Sequence, residues 1–424
     1  MFIQSINLTN FRGISSLDIE LSDRLNVFVG INGVGKSTVL DAVAILLSWF
    51  ANRIKTAGTS GRPIKEIDIK NEEAFSYLHT QMDDDGTTFE ISTTKTRSGY
   101  KKERASNLSS LNEKIKQIQI AITSSGGKTN LPLLAYYPVN RAVLDIPLRI
   151  RKQHSFNILE AYDESLTSGA NFRTFFEWFR NQEDLENENR KYIAVPVKPE
   201  GFEFPDRQLE TVRFALGIFM PNFTNWTVRR RPLRMMVEKD GQPLIVNQLS
   251  DGEKCLMAMI GDLARRMAIA NSLLDNPLHG DGIVLIDEVD LHLHPIWQRM
   301  MVPQLLKTFP NCQFLISTHS PHVLTHVQAQ NVFMLHNEDG NFVCEHPQES
   351  YGKTCERILE DLMGLETTRP TEVNEDLKLL FTRIGNGELD LAKKEINCLS
   401  GRIGDDPELA KAKALLKRKE LIGK

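Results

Sequence analysis

A glycine-rich segment near the start of the chain has the composition of a phosphate-binding loop. Gly30–Ser37 reads G-I-N-G-V-G-K-S and matches the pattern G-x-x-x-x-G-K-[ST]. Glycines let successive backbone N–H groups surround phosphate oxygens, and the helix that follows adds the positive end of its dipole. We expect Lys36 to reach the β- and γ-phosphates and the Ser37 hydroxyl to bind Mg²⁺. The predicted nucleotide-binding residues of this loop are Asn32, Gly33, Val34, Gly35, Lys36, Ser37 and Thr38.

A second segment supplies two acids at the end of an apolar run. Gly282–Ile286 is followed directly by Asp287 and Glu288. This pattern is typical of a buried parallel strand that delivers carboxylates at its carboxyl end. We expect Asp287 to hold Mg²⁺ through water and Glu288 to polarise the water that attacks the γ-phosphate. The alternative is a solvated strand end with two acids, which the accompanying phosphate loop disfavours.

The segment Leu249–Glu253, with the sequence L-S-D-G-E, precedes a predicted helix over Lys254–Leu274. It resembles the LSGGQ signature of ABC ATPases, in which Ser250 and Gly252 would form an anion site that closes on a γ-phosphate held by another subunit. Asp251 and Glu253 depart from that signature, and an acid at 251 would repel the phosphate. The segment is also a capping box, with Ser250 as N-cap and Glu253 three residues later. We hold both interpretations.

Two further motifs follow in the order expected of an ABC head. Val289–Pro295 resembles a D-loop, in which Asp290 communicates between two nucleotide sites. Thr318–Pro321 follows a predicted strand and resembles the switch segment, whose histidine, His319 here, touches the γ-phosphate. By the same resemblance, Arg12 lies near the nucleotide or on a DNA-facing surface. The predicted catalytic residues are therefore Lys36, Glu288 and His319.

The elements that must position these residues can be predicted from hydrophobic periodicity. Residues 1–29 indicate two or three strands, 37–50 a helix, 83–86 a hairpin turn, 108–122 an amphipathic helix, and 350–424 three or four helices. We predict an α/β fold, a P-loop ATPase head with a mixed α/β insert and an all-α C-terminal region. The predicted domains are an N-terminal head lobe (1–52), the insert (53–204), a C-terminal head lobe (205–345) and a helical region for partner docking (346–424).

The sequences of these motifs resemble those of the SMC/RecF/OLD branch of ABC ATPases. The insert shows no long coiled coil, unlike SMC proteins, and the tail shows no acid cluster of a Toprim nuclease, unlike OLD proteins. Segments 351–364 and 406–424 resemble the PtuA group, the ATPase subunits of Septu-type and retron-associated antiphage defence systems. The resemblance implies ATP and Mg²⁺ as cofactors. It also implies a head-to-tail homodimer with two sandwiched nucleotides, or a higher homo-oligomer assembled through such ATP-sandwiched heads.

The same resemblance implies a partner, a small HNH nuclease of the PtuB type that the ATPase regulates, and a chain that is not itself a nuclease. DNA, or a retron RNA–DNA with its reverse transcriptase, is a further candidate partner. Two alternatives stay open. One is a RecF-like DNA repair or replication ATPase without a dedicated nuclease, and the other is a scaffold in which ATP binding rather than turnover is the signal.

Composition limits the remaining function classes. The 424 residues carry 51 Lys and Arg against 55 Asp and Glu, a net charge of −4, which excludes a polycationic coat on nucleic acid. Five scattered cysteines without a C-x-x-C pair, and a start without signal-peptide character, indicate a cytoplasmic protein without membrane spans. Local basic clusters could still contact DNA phosphates: Lys95, Arg97, Lys101, Lys102 and Arg104; Arg149, Arg151 and Lys152; and Arg229, Arg230, Arg231 and Arg234.

Overall fold

The computed structural model describes residues 1–139, 157–167, 172–199, 202–338 and 341–422. The chain divides into two compact units, Met1–Cys355 and Glu356–Lys424, which we call the head and the tail. The strands are β1 (Phe2–Phe11), β2 (Ile14–Glu20), β3 (Leu25–Val29), β4 (Phe75–Asp84), β5 (Thr87–Thr96), β6 (Leu133–Tyr137), β7 (Phe223–Arg230), β8 (Leu233–Lys239), β9 (Gln242–Ile245), β10 (Gly282–Ile286), β11 (Cys312–Ser317), β12 (Val332–Glu338) and β13 (Asn341–Glu345).

Eight of the described α-helices begin in the head, and the last of the eight spans the boundary between the two units. These are α1 (Lys36–Lys55), α2 (Ser109–Ser124), α3 (Phe172–Asn189), α4 (Arg207–Phe219), α5 (Asp251–Ala270), α6 (Pro295–Thr308) and α7 (Pro321–Leu324), and the next helix is α8 (Cys355–Asp361). The tail continues with α9 (Thr371–Asn386), α10 (Leu389–Ile403) and α11 (Pro407–Ile422). Thus α8 is the helix at the boundary, and α1–α7 lie wholly within the head.

The central sheet of the head has the strand order β13-β12-β3-β11-β10-β6. The four strands β3, β11, β10 and β6 run parallel, and every residue of each is buried. Parallel strands covered on both faces need apolar side chains on both sides, which explains the uninterrupted apolar runs in the sequence. The carboxyl ends of β3, β10 and β11 therefore meet at one edge, where the candidate site lies.

A second, antiparallel sheet has the order β2-β1-β4-β5. Its outer hairpin turns at Asp85 and Gly86, which have φ values of 51° and 80°, as a two-residue turn of this hand requires. The predicted hairpin is therefore confirmed. The insert predicted to begin at residue 53 is not separate, because β4 of the insert pairs with β1 of the predicted N-terminal lobe.

Helix α1 follows the phosphate loop and is largely buried in the head core. Among the described residues it is the one helix whose length and composition would allow it to cross a membrane, and 67% of that stretch is buried inside the head. Its apolar character matches its packing between the two sheets, since it contacts both β4 and β10.

The tail has its own hydrophobic core, formed by Leu377, Leu380, Ile384, Ala392, Ile396, Leu399, Leu409, Ala412 and Leu416. Helix α9 ends at Gly387, which has a φ of 82° and closes the helix in the left-handed conformation. The compact tail begins at Glu356, ten residues after the predicted boundary at 346. The reason is that the intervening segment hydrogen-bonds to the head: Ser350 donates to the carbonyl of Leu324, and Gly352 to that of Thr325.

Candidate functional site

The phosphate loop connects β3 to α1, as its sequence predicts. Gly35 is the N-cap of α1 with a φ of 98°, and Gly30 has a φ of 152° with Leu335 O only 2.6 Å from where a Cβ would lie. Side chains are thereby excluded from the tightest points of the loop. The ammonium of Lys36 is buried and donates to Gly30 O at 2.8 Å and Ile31 O at 3.0 Å. These carbonyls hold the lysine inside the loop, while Ser37 is exposed.

Asp287 and Glu288 follow β10, which β11 separates from β3 in the sheet. Asp287 is only 2% exposed, and its Oδ1 accepts a hydrogen bond from the Ser317 hydroxyl at the end of β11. The same hydroxyl accepts from the backbone N–H of Glu288 at 2.8 Å. Glu288 has a φ of 47°, an uncommon conformation for a non-glycine residue that tends to occur at functional sites. Ser317 thus fixes both acidic residues, a role that the sequence analysis did not assign.

The electrostatics place Lys36 and the acids in one cluster. Burial lowers the pKa of Lys36, while the charges of Asp287, Glu288 and Asp290 oppose that shift. The pKa of His319 is also lowered, first by burial and then by the positive charge of Lys36, against the same three carboxylates. An imidazole with a pKa below its ordinary 6.5 is neutral at pH 7. The structure therefore brings together all three residues predicted to be catalytic.

Asp290 connects the D-loop to the switch segment. Its Oδ1 accepts from the Thr318 hydroxyl at 2.5 Å and from the His319 N–H at 3.4 Å. Gln298, on α6, continues this connection, because its amide donates to Leu293 O at 2.8 Å while its Oε1 accepts from the Ser320 hydroxyl at 2.7 Å. The loops after β10 and β11 are thereby held as one unit.

Arg12 lies at the end of β1 in a network of charges beside this cluster. Its Nε donates to Asp68 Oδ1 at 2.9 Å, and its Nη2 pairs with Asp41 on α1. Arg62 pairs with the same Asp41 carboxylate. Burial opposes ionisation of Arg12, but the two carboxylates outweigh it and raise its pKa. Asp41 and Arg62 were missed by the sequence analysis, since only the fold brings these residues together.

Tyr136 on β6 joins this network to the acids. Burial raises its pKa, and the charges of Asp287 and Asp41 raise it further. The Tyr136 hydroxyl therefore lies in the electrostatic field of both acids, with the charges of Arg62 and Arg12 acting in the opposite direction.

The predicted signature segment begins α5, with Ser250 as N-cap. Ser250 Oγ accepts from the N–H of Glu253 at 3.4 Å, and Glu253 returns a bond by accepting from the N–H of Ser250 at 2.8 Å. The capping box is therefore confirmed. Burial opposes ionisation of Glu253, but bonds from Lys239 and Ser250 outweigh it and lower the pKa. Glu253 is thus structural, whereas Ser250 stays exposed at the helix end.

Gly252 packs the start of α5 against the D-loop of the same chain. A Cβ at this position would lie 2.2 Å from His292 O. Within the described part of the chain, no hydrogen bond or ion pair links Ser250 or Gly252 to the phosphate loop. The absence of such bonds to the phosphate loop of the same chain is what we expect if the predicted signature residues serve a second subunit.

The predicted basic clusters differ in how available they are. Arg230 pairs with Glu183 and Asp184, and Arg97 donates to the carbonyls of Glu73 and Lys70, so these two charges are already engaged. Lys101 and Lys102 are exposed. The cluster Arg149, Arg151 and Lys152 lies outside the described residues. DNA contact by this chain remains a prediction.

Comparison with known proteins shows what the chain is similar to. Residues 25–325 match the family model described as "AAA domain, putative AbiEii toxin, Type IV TA system". The chain is 33% identical to the retron Ec83 probable ATPase of Escherichia coli, over 87% of this chain and 77% of that protein. It is 26% identical to the Septu protein PtuA of Bacillus thuringiensis, over 87% and 86% of the two chains. It is also similar to the solved SMC head bound to the C-winged helix domain of ScpA, at 14% identity and a TM-score of 0.48, over 82% of this chain and 98% of that chain.

Proposed function

Because the chain belongs to the family of AAA-domain ATPases that includes the retron Ec83 probable ATPase, and is an SMC/RecF-like ATPase related to PtuA, we propose that it binds and hydrolyses ATP at the cluster of Lys36, Asp287, Glu288 and His319. The observation that supports this most strongly is the shared electrostatic environment of a buried lysine, the acids after β10 and a neutral histidine. Such a cluster at the carboxyl ends of parallel strands suits phosphoryl chemistry.

The roles follow from the chemistry of each side chain. Lys36 binds the β- and γ-phosphates, exchanging the loop carbonyls of Gly30 and Ile31 for phosphate oxygens. Glu288 polarises the attacking water, and neutral His319 hydrogen-bonds the γ-phosphate. The exposed Ser37 hydroxyl and the Asp287 carboxylate are oxygen donors of the kind that Mg²⁺ prefers, and they fit a magnesium site. When bound, Mg²⁺ would neutralise charge on the phosphate oxygens.

Two substitutions separate binding from hydrolysis. Glu288→Gln keeps the shape of the site and removes the base, so we expect hydrolysis to fall by about 10²–10⁴-fold with nucleotide affinity preserved. Lys36→Ala removes the phosphate-binding charge, so binding itself should be lost. Phosphate release and binding of a fluorescent ATP analogue measure the two effects. Hydrolysis at the wild-type rate by Glu288→Gln would contradict the proposed base.

The same pair of variants tests the alternative of a nucleotide-gated scaffold. If Glu288→Gln protects cells against phage as well as the wild-type chain does while Lys36→Ala does not, ATP binding rather than turnover is the signal. If both variants lose protection, turnover is required. Plaque counts on cells that carry the complete native operon measure this difference.

We further propose that two copies assemble head to tail, with the phosphate loop of one facing Ser250 of the other. Within the described part of the chain Ser250 makes no hydrogen bond to its own phosphate loop, which supports this arrangement. An apolar match supports it as well: Ile31, at the tip of the phosphate loop, is 71% exposed. Beside Ser250 lies a cavity of about 450 Å³ with mainly apolar walls, to which Met220, Ile296, Trp297 and Met300 contribute. In the proposed dimer, Ile31 of each copy would shield this cavity in the other.

Sedimentation with ATP tests the dimer, and cross-linking tests its orientation. The Glu288→Gln chain should sediment as a dimer with ATP and as a smaller species without it. In that background, a chain with both Ile31→Cys and Ile296→Cys should form an ATP-dependent cross-linked dimer. Chains with either cysteine alone, and the chain with native cysteines only, are the controls. If an ATP-dependent dimer forms without this cross-link, the proposed orientation is wrong, although the proposal of ATP-dependent assembly stands.

We propose that the assembly acts in the cytoplasm in antiphage defence and regulates a separate HNH nuclease subunit. The similarity to proteins named for retron and Septu systems supports the defence role. Purification from the native operon tests the partner: a stoichiometric HNH protein is expected. Its absence, together with a repair defect after deletion of the gene, would favour the RecF-like alternative instead.

A further inference from the structure

A second cavity of the head, of about 400 Å³, is lined by none of the residues assigned to ATP. Three segments line it: Arg299 on α6; the turn at and after α7; and residues 351–355. The lining residues are Arg299, His322, Thr325, His326, Tyr351, Gly352, Lys353, Thr354 and Cys355. Four of these can carry positive charge, Tyr351 adds a hydroxyl group, and none is an Asp or Glu.

The cavity is held by specific hydrogen bonds. The backbone N–H of Gly352 donates to Thr325 O at 2.9 Å, and the Ser350 hydroxyl donates to Leu324 O at 2.9 Å, so the 351–355 segment is fixed against α7. Nδ1 of His322 lies 3.1 Å from Sγ of Cys355. The other ring nitrogen of His322 makes no hydrogen bond within the described residues and is left for a ligand.

The positive charge of this cavity is only partly neutralised. Lys353 pairs with Glu349, an exposed acid outside the lining. Arg299 is exposed, and among the residues that the structure describes it has no hydrogen-bonding or ionic partner. A guanidinium beside an ammonium, two imidazoles and a tyrosine hydroxyl is a set of donors that matches phosphate oxygens. Carboxylates in the wall would repel such a group, and none is present among the lining residues.

We propose that this cavity binds a phosphate-bearing ligand, separate from the ATP at the phosphate loop. The phosphate could belong to a small molecule or to the backbone of a nucleic acid, and both present the same oxygens. The position makes the site relevant to the ATPase: Arg299 is adjacent in sequence to Gln298, which hydrogen-bonds both the D-loop and Ser320. A ligand there would contact α6, whose Gln298 holds the D-loop and Ser320.

The test uses the full chain with Lys36→Ala, which removes phosphate binding at the ATP site. Two probes are titrated: inorganic pyrophosphate by calorimetry, and a fluorescein-labelled single-stranded 20-mer by anisotropy. We expect this chain to bind at least one probe and added Arg299→Ala to weaken that binding about tenfold or more, the effect of a lost charge-assisted hydrogen bond. Lys307→Ala, which removes an exposed charge of α6 outside the cavity, should leave binding unchanged.

The outcomes distinguish the source of the phosphate. Loss of pyrophosphate binding alone indicates a small ligand. Loss of 20-mer binding, with the slope of log affinity against log salt reduced by about one, indicates a nucleic-acid backbone. Lys353→Gln is a second variant, in case Arg299→Ala shifts the thermal unfolding midpoint. Binding of neither probe, or binding that both variants leave intact, would overturn the proposal. None of these results depends on whether the chain hydrolyses ATP.

Discussion

One aspartate and two arginines carry charges in the interior of the head, on helix α5. Asp262 is fully buried and accepts from Arg265 at 2.7 Å, from Arg266 at 2.7 Å and from the Tyr137 hydroxyl at 3.1 Å. Arg266 also donates to the carbonyls of Ala161 and Asp163. The helix spacing i, i+3 and i, i+4 makes the two ion pairs local, but only the fold adds the tyrosine from β6. This group ties α5 to the sheet directly under the candidate site.

Removing the charge of Asp262 should strongly destabilise the head. In the chain with Asp262→Asn, two buried arginines lose their counter-charge, so we expect the free energy of unfolding to fall by about 3–5 kcal/mol. Urea unfolding followed by tryptophan fluorescence measures this, because all four tryptophans lie in the head. Asp251→Asn, which changes an acid of the same helix with 86% side-chain exposure, is the control and should leave stability nearly unchanged.

The stability difference between wild type and Asp262→Asn should depend on pH in a definite direction. Burial opposes ionisation of Asp262, but Arg266 and Arg265 outweigh it and lower its pKa. A carboxylate with a depressed pKa contributes stability that is fully present above the value for an unfolded chain, about 3.9, and is lost as the pH falls through the lowered value. The difference in the free energy of unfolding between wild type and Asp262→Asn should therefore be constant from pH 7 to about pH 5. It should decrease only below about pH 3.9. A stability difference that decreases near neutral pH would contradict the lowered pKa of Asp262.

At the scale of elements, the strands and helices with a continuous pattern could be predicted from the sequence. Examples are β3 before the phosphate loop, β10 before Asp287 and the hairpin of β4 and β5, each marked by neighbouring residues. Pairing between distant elements could not be predicted. The Gln313 side chain exchanges two 2.8 Å hydrogen bonds with the backbone of Ile3, from 310 residues away. No local pattern indicates such a contact, and the same holds for Arg12 with Asp41.

The contact between α5 and the D-loop gives a prediction for these two elements. Gly252→Ala would place a Cβ 2.2 Å from His292 O, a backbone atom that cannot move without the D-loop. We expect a loss of about 1–3 kcal/mol in stability and a drop in ATP hydrolysis, because Asp290 lies in the displaced loop. Gly217→Ala in α4, where no described atom lies within 4 Å of the new Cβ, should instead be neutral or stabilising by up to about 1 kcal/mol. Equal effects of the two variants would contradict the close packing.

At the scale of the whole molecule, the chain combines a head that carries the ATP chemistry with a tail that has its own core. The sequence predicted the helices of the tail, since their apolar residues recur at helical spacing and glycines separate them. It did not predict where the compact tail begins. The hydrogen bonds of Ser350 and Gly352 to the head decide that point, and they depend on the fold of residues 324 and 325.

Because the head and the tail have separate cores, a substitution that destabilises the tail should leave the stability of the head unchanged. Leu380 on α9 is 0% exposed at the centre of the tail core, so Leu380→Ala should remove about 2–5 kcal/mol of tail stability through the lost apolar contacts and the cavity left behind. Hydrogen exchange should accelerate in residues 371–422, with head protection and ATP hydrolysis unchanged. Leu379→Ala, a neighbour that is 44% exposed, is the matched control and should have little effect. If exchange also accelerated in β3, β10 and β11, the head would depend on the tail for its stability and the two cores would not be independent.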